Sequence, residues 1–173
     1  MAPEDYVKLS IEYRGLILHE IIQLEIGINL YLMEFFCRDI DREIDFQNMI
    51  LGDERMTLSS KVQVVQNIIT NYDKEWGLTY VSIMNDDRKK GRIPLNSDLQ
   101  KMIEHRNIFA HRMLDETNFL LNHADIARDK ETVRFVKFKD ELFALDYTDE
   151  NFGKIINCIQ NMANYLVTHK FKW

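Results

Sequence analysis

The sequence predicts an all-α fold: a helical bundle with a long N-terminal helix and a small β-hairpin before the C-terminal helix. Three observations lead there. Apolar residues recur at helical spacing along four long stretches. Only six Gly and two Pro occur among 173 residues, so few breakers interrupt those stretches. One late segment, Thr132 to Phe138, instead alternates apolar and polar residues, the pattern of a half-buried strand. The length fits a single domain over residues 1–173, and such a domain buries roughly 70% of its unfolded surface.

Residues 5–37 lack proline and are rich in Leu, Ile and Glu, which predicts one long helix. On a helical projection Glu12, His19, Gln23 and Glu34 share a polar arc with Gly15 and Gly27. The remaining arc holds Tyr6, Tyr13, Ile17, Ile21, Leu24, Ile28, Tyr31, Leu32 and Phe35. An arc that broad predicts burial on two sides, inside a bundle or against another subunit.

Residues 38–56 mix acids with Phe46, Met49, Ile50 and Leu51, and Gly52-Asp53 marks a turn, which predicts a short helix or irregular connector. Thr57 suits the cap of a second long helix over 58–75, with Val62, Val65, Ile68 and Ile69 facing inward. Helix is expected in pieces around Leu78 to Met84. Asn85 to Arg92 then reads as a charged loop bounded by Pro94. Asn96 or Ser97 is expected to cap the next helix, over 96–112. Glu141 to Tyr147 is the second strand of the hairpin, with Lys139-Asp140 at the turn. Asp149 is expected to cap a last helix over 150–170, where Phe152, Ile155, Ile156, Ile159, Met162, Ala163 and Leu166 keep helical spacing.

Apolar residues make up 46% and charged residues 29%, a globular rather than a disordered balance. The net charge of −6 argues against a generally basic nucleic-acid coat, although a local basic site remains open. Cys37 and Cys158 stand far apart in no paired motif, which predicts neither a disulfide framework nor a zinc site and fits a reducing cytoplasm. Met-Ala-Pro-Glu-Asp does not begin a secretion signal. Residues 16–36 are very apolar but contain His19, Glu20, Gln23, Glu25, Asn29 and Glu34, too many polar groups for a membrane span. No phosphate-cradling Gly-rich loop or nucleophile elbow occurs, so no cofactor is expected. Asp39, Asp41 and Asp45 lack the glycine and distal Glu of a calcium loop, so no metal is expected either.

The chemistry concentrates in Glu104-His105-Arg106-Asn107-Ile108-Phe109-Ala110-His111. Arg106 offers a permanent cation with a planar fork of donors suited to phosphate. His111 is the type of side chain that moves protons near neutral pH. Arg106 projects from an apolar stripe of Leu99, Met102, Ile103, Phe109, Ala110 and Met113. A guanidinium is expensive to bury unpaired, so it meets a carboxylate, or the stripe faces a wet cleft or a subunit interface. Asn107 and His111 share a face. Arg106 and His111 are about 140° apart on a regular helix. One phosphate is then reached by both if the helix ends near Phe109 or the site is pooled from two subunits.

Arg88, Lys89, Lys90 and Arg92 precede this helix and, with Arg112, are candidates to contact RNA phosphates. A solvated charged loop explains the same run. Arg106 in a buried salt bridge, with His111 bonding the helix end, is the structural alternative for the motif. His105 and Arg112 fall on another, solvated face. Glu25 and Asn29 either approach Arg106 or make an interhelical hydrogen bond. His19, His123 and His169 have no ligand-spaced partners and read as surface residues.

Arg106-Asn107-Ile108-Phe109-Ala110-His111 resembles the Arg, polar residue, short spacer, His signature of the HEPN superfamily, small helical proteins related to prokaryotic toxins, phage-defence factors and RNA-processing nucleases. The layout is similar too: a long first helix, the motif late in a following helix, then a closing helix. The resemblance implies a metal-independent endoribonuclease acting as a homodimer, with two motifs meeting in one composite site. His111 would be the general base or acid for attack of the ribose 2′-hydroxyl, leaving a 2′,3′-cyclic phosphate. Arg106 would hold the phosphate, and Asn107 would orient the histidine or the phosphate. It also leaves room for an antitoxin protein as partner. Some toxin members carry a Tyr two residues after the His, a target for nucleotidylation; Met113 stands there. Other members only bind RNA, nucleotides or proteins.

Overall fold

Residues 3–37, 39–84, 92–114, 132–137 and 140–171 are described by a computed structural model. Pro3–Phe36 forms one helix of 34 residues, α1, about 51 Å long at 1.5 Å per residue. Tyr6, Tyr13, Ile17, Ile21, Leu24, Ile28, Tyr31 and Leu32 are its buried stripe, as the spacing predicts. Burial is one-sided, however. Val7, Ile11, Leu18, Ile22 and Ile26 on the far face stay exposed. By length and composition α1 is apolar enough to cross a membrane, and its buried stripe here lies in the protein core.

Asp39 opens α2 (Ile40–Phe46) by accepting the Asp41 backbone N–H, so its carboxylate has a local capping role. Helix α2 runs into a π-helical turn, Gln47–Leu51. Thr57 caps α3 (Leu58–Asn71) as expected, its hydroxyl accepting the Ser60 N–H at 3.2 Å. The helix stops at Asn71 rather than near 75. The reason is Asp73, which is drawn inward: Tyr31 donates to its Oδ2 at 3.2 Å, and His169 Nε2 lies 2.7 Å from the same oxygen. A short helix α4 (Lys74–Thr79) follows, and residues 80–84 are irregular rather than helical.

Helix α5 (Pro94–His111) begins at Pro94, which occupies the first helical position where its missing N–H breaks no bond. Asn96 and Ser97 therefore lie inside the first turn and do not cap it. Asn96 ties α5 to α3 instead, accepting from Gln66 Nε2 at 2.9 Å and donating to Thr70 Oγ1 at 3.1 Å.

Three antiparallel strands follow in the order β1 (Met113–Leu114), β2 (Thr132–Lys137), β3 (Asp140–Thr148). The expected hairpin is β2–β3, with Val133 opposite Tyr147 and Phe135 opposite Leu145. Asp140 belongs to β3; the rest of the expected turn, with Phe138 and Lys139, lies outside the described residues. Strand β1 is additional. It pairs Met113 with Val136 and Leu114 with Phe135, so the chain leaves α5 directly into the sheet. Val133, Phe135 and Tyr147 form the buried face.

Thr148, not Asp149, caps the last helix, α6 (Asp149–Val167), accepting the Asn151 N–H at 3.2 Å. Helix α6 lies along α1 in the most extensive helix pairing of the fold. Gly27 sits in that seam and not on the solvent arc: a Cβ there would stand 3.2 Å from the Ala163 carbonyl oxygen. One continuous apolar cluster joins α1, α3, α5, α6, β2 and β3.

Candidate functional site at the end of helix α5

Phe109 fixes how the motif faces. Its ring is fully buried, with centroids 4.7 Å from Tyr147, 4.9 Å from Phe135 and 5.9 Å from Phe152. Ile108 is buried beside it. With both turned inward, helical geometry turns Asn107 and His111 to solvent and leaves Arg106 on the rim, half-buried.

Arg106 Nη1 donates to Asn107 Oδ1 at 3.1 Å and approaches His111 Nε2 at 3.3 Å. A guanidinium carries only donors, so Nε2 faces it with its lone pair. The long arginine stem spans the 140° step that helical spacing imposes, and α5 remains regular to His111. The two groups therefore meet within one chain, without early fraying of the helix and without a second subunit. Among the described residues no carboxylate pairs with Arg106.

Arg14 of α1 closes the other side of this helix end. Its Nη1 donates to the Phe109 carbonyl at 2.5 Å and its Nη2 to the Arg112 carbonyl at 2.7 Å. Its guanidinium also lies 4.8 Å from the centroid of the Phe135 ring. Burial lowers its pKa from the ordinary arginine value. Cations are favoured at helix C-termini, where carbonyls lack intrahelical partners. Sequence reading missed Arg14. Its only signal is a charge between the buried Tyr13 and Ile17 on an apolar helix.

His105 is not solvated as expected. Its Nδ1 lies 3.0 Å from the Tyr147 hydroxyl, fastening α5 to β3. Burial lowers its pKa, opposed by Glu104. Burial also pushes Tyr147 up to about 12, against the charge of Arg112. Arg112 thus stands near Tyr147 at the site. Arg92 is exposed two residues before α5, so about 25 Å of helix separates it from His111. Arg88, Lys89 and Lys90 lie outside the described residues, as does His123.

Glu25 and Asp98 have structural partners, whereas the Asn29 side-chain oxygen is buried without a hydrogen bond among the described residues. Glu25 pairs with buried Lys61 at 2.6 Å, an interhelical bond rather than a contact to Arg106. Asn29 lines a cleft of about 400 Å³ with Gln47, Asn48, Leu51 and Gly52 beside the π-helical turn. Asp98, on the inner face of α5, is fully buried and accepts from Tyr80 at 3.2 Å and Cys158 at 3.5 Å. Burial, with Asp98 adding to it, pushes the Cys158 thiol up to about 12. Cys37 and Cys158 are both free and buried. His19 is exposed, but His169 is not the surface residue expected. It stacks on Trp76 with centroids 4.0 Å apart and meets Phe171 edge-on at 4.4 Å. Among the described residues no three His, Cys, Asp or Glu side chains converge as a metal site would. No family model, curated protein or solved structure matches this chain.

Proposed function

We propose that this protein is a HEPN-like endoribonuclease that needs no metal ion and cuts RNA at a site pooled from two copies of the chain. The observation that carries this reading is the 3.3 Å approach of Arg106 Nη1 to His111 Nε2 on the solvent rim of α5. A guanidinium beside an imidazole joins a phosphate holder to a proton carrier. In the free protein Arg106 occupies the lone pair that a general base needs. A phosphodiester arriving at the guanidinium takes over that donor and frees Nε2 to accept the 2′-hydroxyl proton. The 2′-oxygen bonds to phosphorus, the bond to the 5′-oxygen breaks, and the second copy's His111 protonates the departing oxygen. The products are a 2′,3′-cyclic phosphate and a 5′-hydroxyl. Arg106 stabilises the charge that builds on the phosphoryl oxygens, and Asn107 steadies its fork.

The exposed ridge of α1 supports the two-copy site. Ile11 and Leu18 flank Arg14 by one helical turn on either side, so the ridge runs up to the end of α5. Exposed apolar ridges of this kind mark interaction surfaces, and a second copy seated there brings two α5 termini together. The setting is the cytoplasm, the biological class a toxin or phage-defence effector, and the restraining partner an antitoxin. Arg112, nearest the site, contacts RNA phosphate, with Arg88, Lys89, Lys90 and Arg92 guiding the strand from a distance.

A second reading rests on the same contact. If Arg106 keeps Nε2 occupied, the site binds RNA, a nucleotide or a protein without cutting. Incubation of purified protein with mixed cellular RNA in EDTA, with His111→Ala beside it, separates the two. The nuclease yields cyclic phosphate ends from the wild type alone and a dimer by light scattering. Retention of RNA with no cleavage by either protein establishes the binding module, and cleavage by a monomer removes the pooled site.

A further inference from the structure

Helix α5 must end where it does for the site to exist. His111 is its last residue, and Arg112 is already extended, with φ −86° and ψ 149°. One residue of slippage at this end turns a side chain by about 100°, which would carry His111 away from Arg106. The stop is not set by a C-terminal glycine, the usual device; Arg112 and Met113 follow. It is held from outside. The two carbonyls that Arg14 grips, Phe109 and Arg112, bracket His111 on the chain. The same guanidinium rests on Phe135, in the strand that pairs with β1 just beyond the helix end. Tyr13 beside it donates to Asp149 and stacks on Phe152, centroids 3.9 Å apart, so this turn of α1 is itself fixed against α6.

We propose that Arg14 is a positioning residue for the Arg106–His111 pair: its fork on the Phe109 and Arg112 carbonyls sets where α5 ends and thereby aims the His111 imidazole at Arg106. The role in cleavage rests on the nuclease reading above; the geometric role does not. Arg14 touches neither RNA nor the reacting atoms. It acts through the backbone, as groups that hold a reacting geometry do.

The test is imidazole ¹⁵N NMR of the full chain, with His111 assigned by its absence in His111→Ala. In the wild type the His111 Nε2 signal reports the Arg106 contact, and Arg106→Ala defines its position when that contact is gone. Arg14→Met removes the fork while keeping an unbranched stem, and is expected to move the His111 signal onto the Arg106→Ala position. Arg14→Lys keeps one donor and is expected to fall between. If Arg14→Met does not fold, Arg14→Lys decides alone by the same shift. A His111 signal that stays at its wild-type position overturns the proposal, however far the melting temperature falls. In the cleavage assay the same variants are expected to lower kcat by roughly ten- to a hundredfold with little change in KM. Should the wild type cut no RNA, the nuclease reading fails, and the His111 signal still decides the role of Arg14.

Discussion

Arg106 stays at the surface because its neighbours do not. Ile108 and Phe109 fill the core, and the guanidinium is left on the rim with Asn107 and His111 as its partners. Removing it leaves no buried charge unpaired, so Arg106→Ala is expected to change the free energy of urea unfolding by no more than about 0.5 kcal/mol. On the proposed nuclease reading, cleavage is expected to fall about 10²- to 10³-fold, the usual effect of deleting a preorganised donor to a charged transition state. A loss of about 2 kcal/mol or more would return Arg106 to a structural role. That these three candidate residues meet was legible because they lie within six positions of one helix. Arg14 and His105 were not, because their partners lie 95 and 42 residues away and no periodicity carries that information.

At the scale of elements, periodicity located α1, α3, α5 and α6, and alternation located the hairpin. The misses have local causes. Tertiary bonds to Asp73 override a sequence that would continue α3. Pro94 starts α5 ahead of the better capping residues. Strand β1 has two residues, too few for any period. Gly77 shows how tightly the short α4 is docked. A Cβ there would meet Ile69 Cγ2 at 2.4 Å and Ile93 Cγ2 at 3.0 Å. Both neighbours are β-branched and stiff at χ1, so neither gives way cheaply. Overpacking of this kind costs about 1–3 kcal/mol, against about 1 kcal/mol gained by replacing Gly with Ala in a helix. Gly77→Ala is therefore expected to lower the urea midpoint without changing the slope. An unchanged or higher midpoint would mean that α4 shifts freely on α3.

The whole molecule is closed at two places by histidines, and this makes its stability depend on pH. His105 joins α5 to the sheet, and His169 packs the last residues against Tyr31, Trp76 and Phe171. Burial lowers both pKa values from the ordinary 6.5. At His169 Asp73 and Glu34 oppose that shift and Lys170 adds to it; at His105 Glu104 opposes it and Lys101 adds to it. A histidine whose pKa is lower in the folded chain takes up its proton more readily when unfolded. The unfolded state therefore gains protons first as pH falls through about 6.5, and stability rises with pH across that window. Urea unfolding is expected to show full stability above about pH 7 and a progressive loss toward about pH 5.5. His105→Gln keeps a partner for the Tyr147 hydroxyl and removes the titration, so it should flatten the slope. His169→Gln should flatten it less, because protonated His169 gains an ion pair with Asp73 at 2.7 Å. Stability that instead climbs as the solution is acidified would show that this ion pair outweighs the burial of both rings, and that the C-terminal clasp closes on a charged histidine.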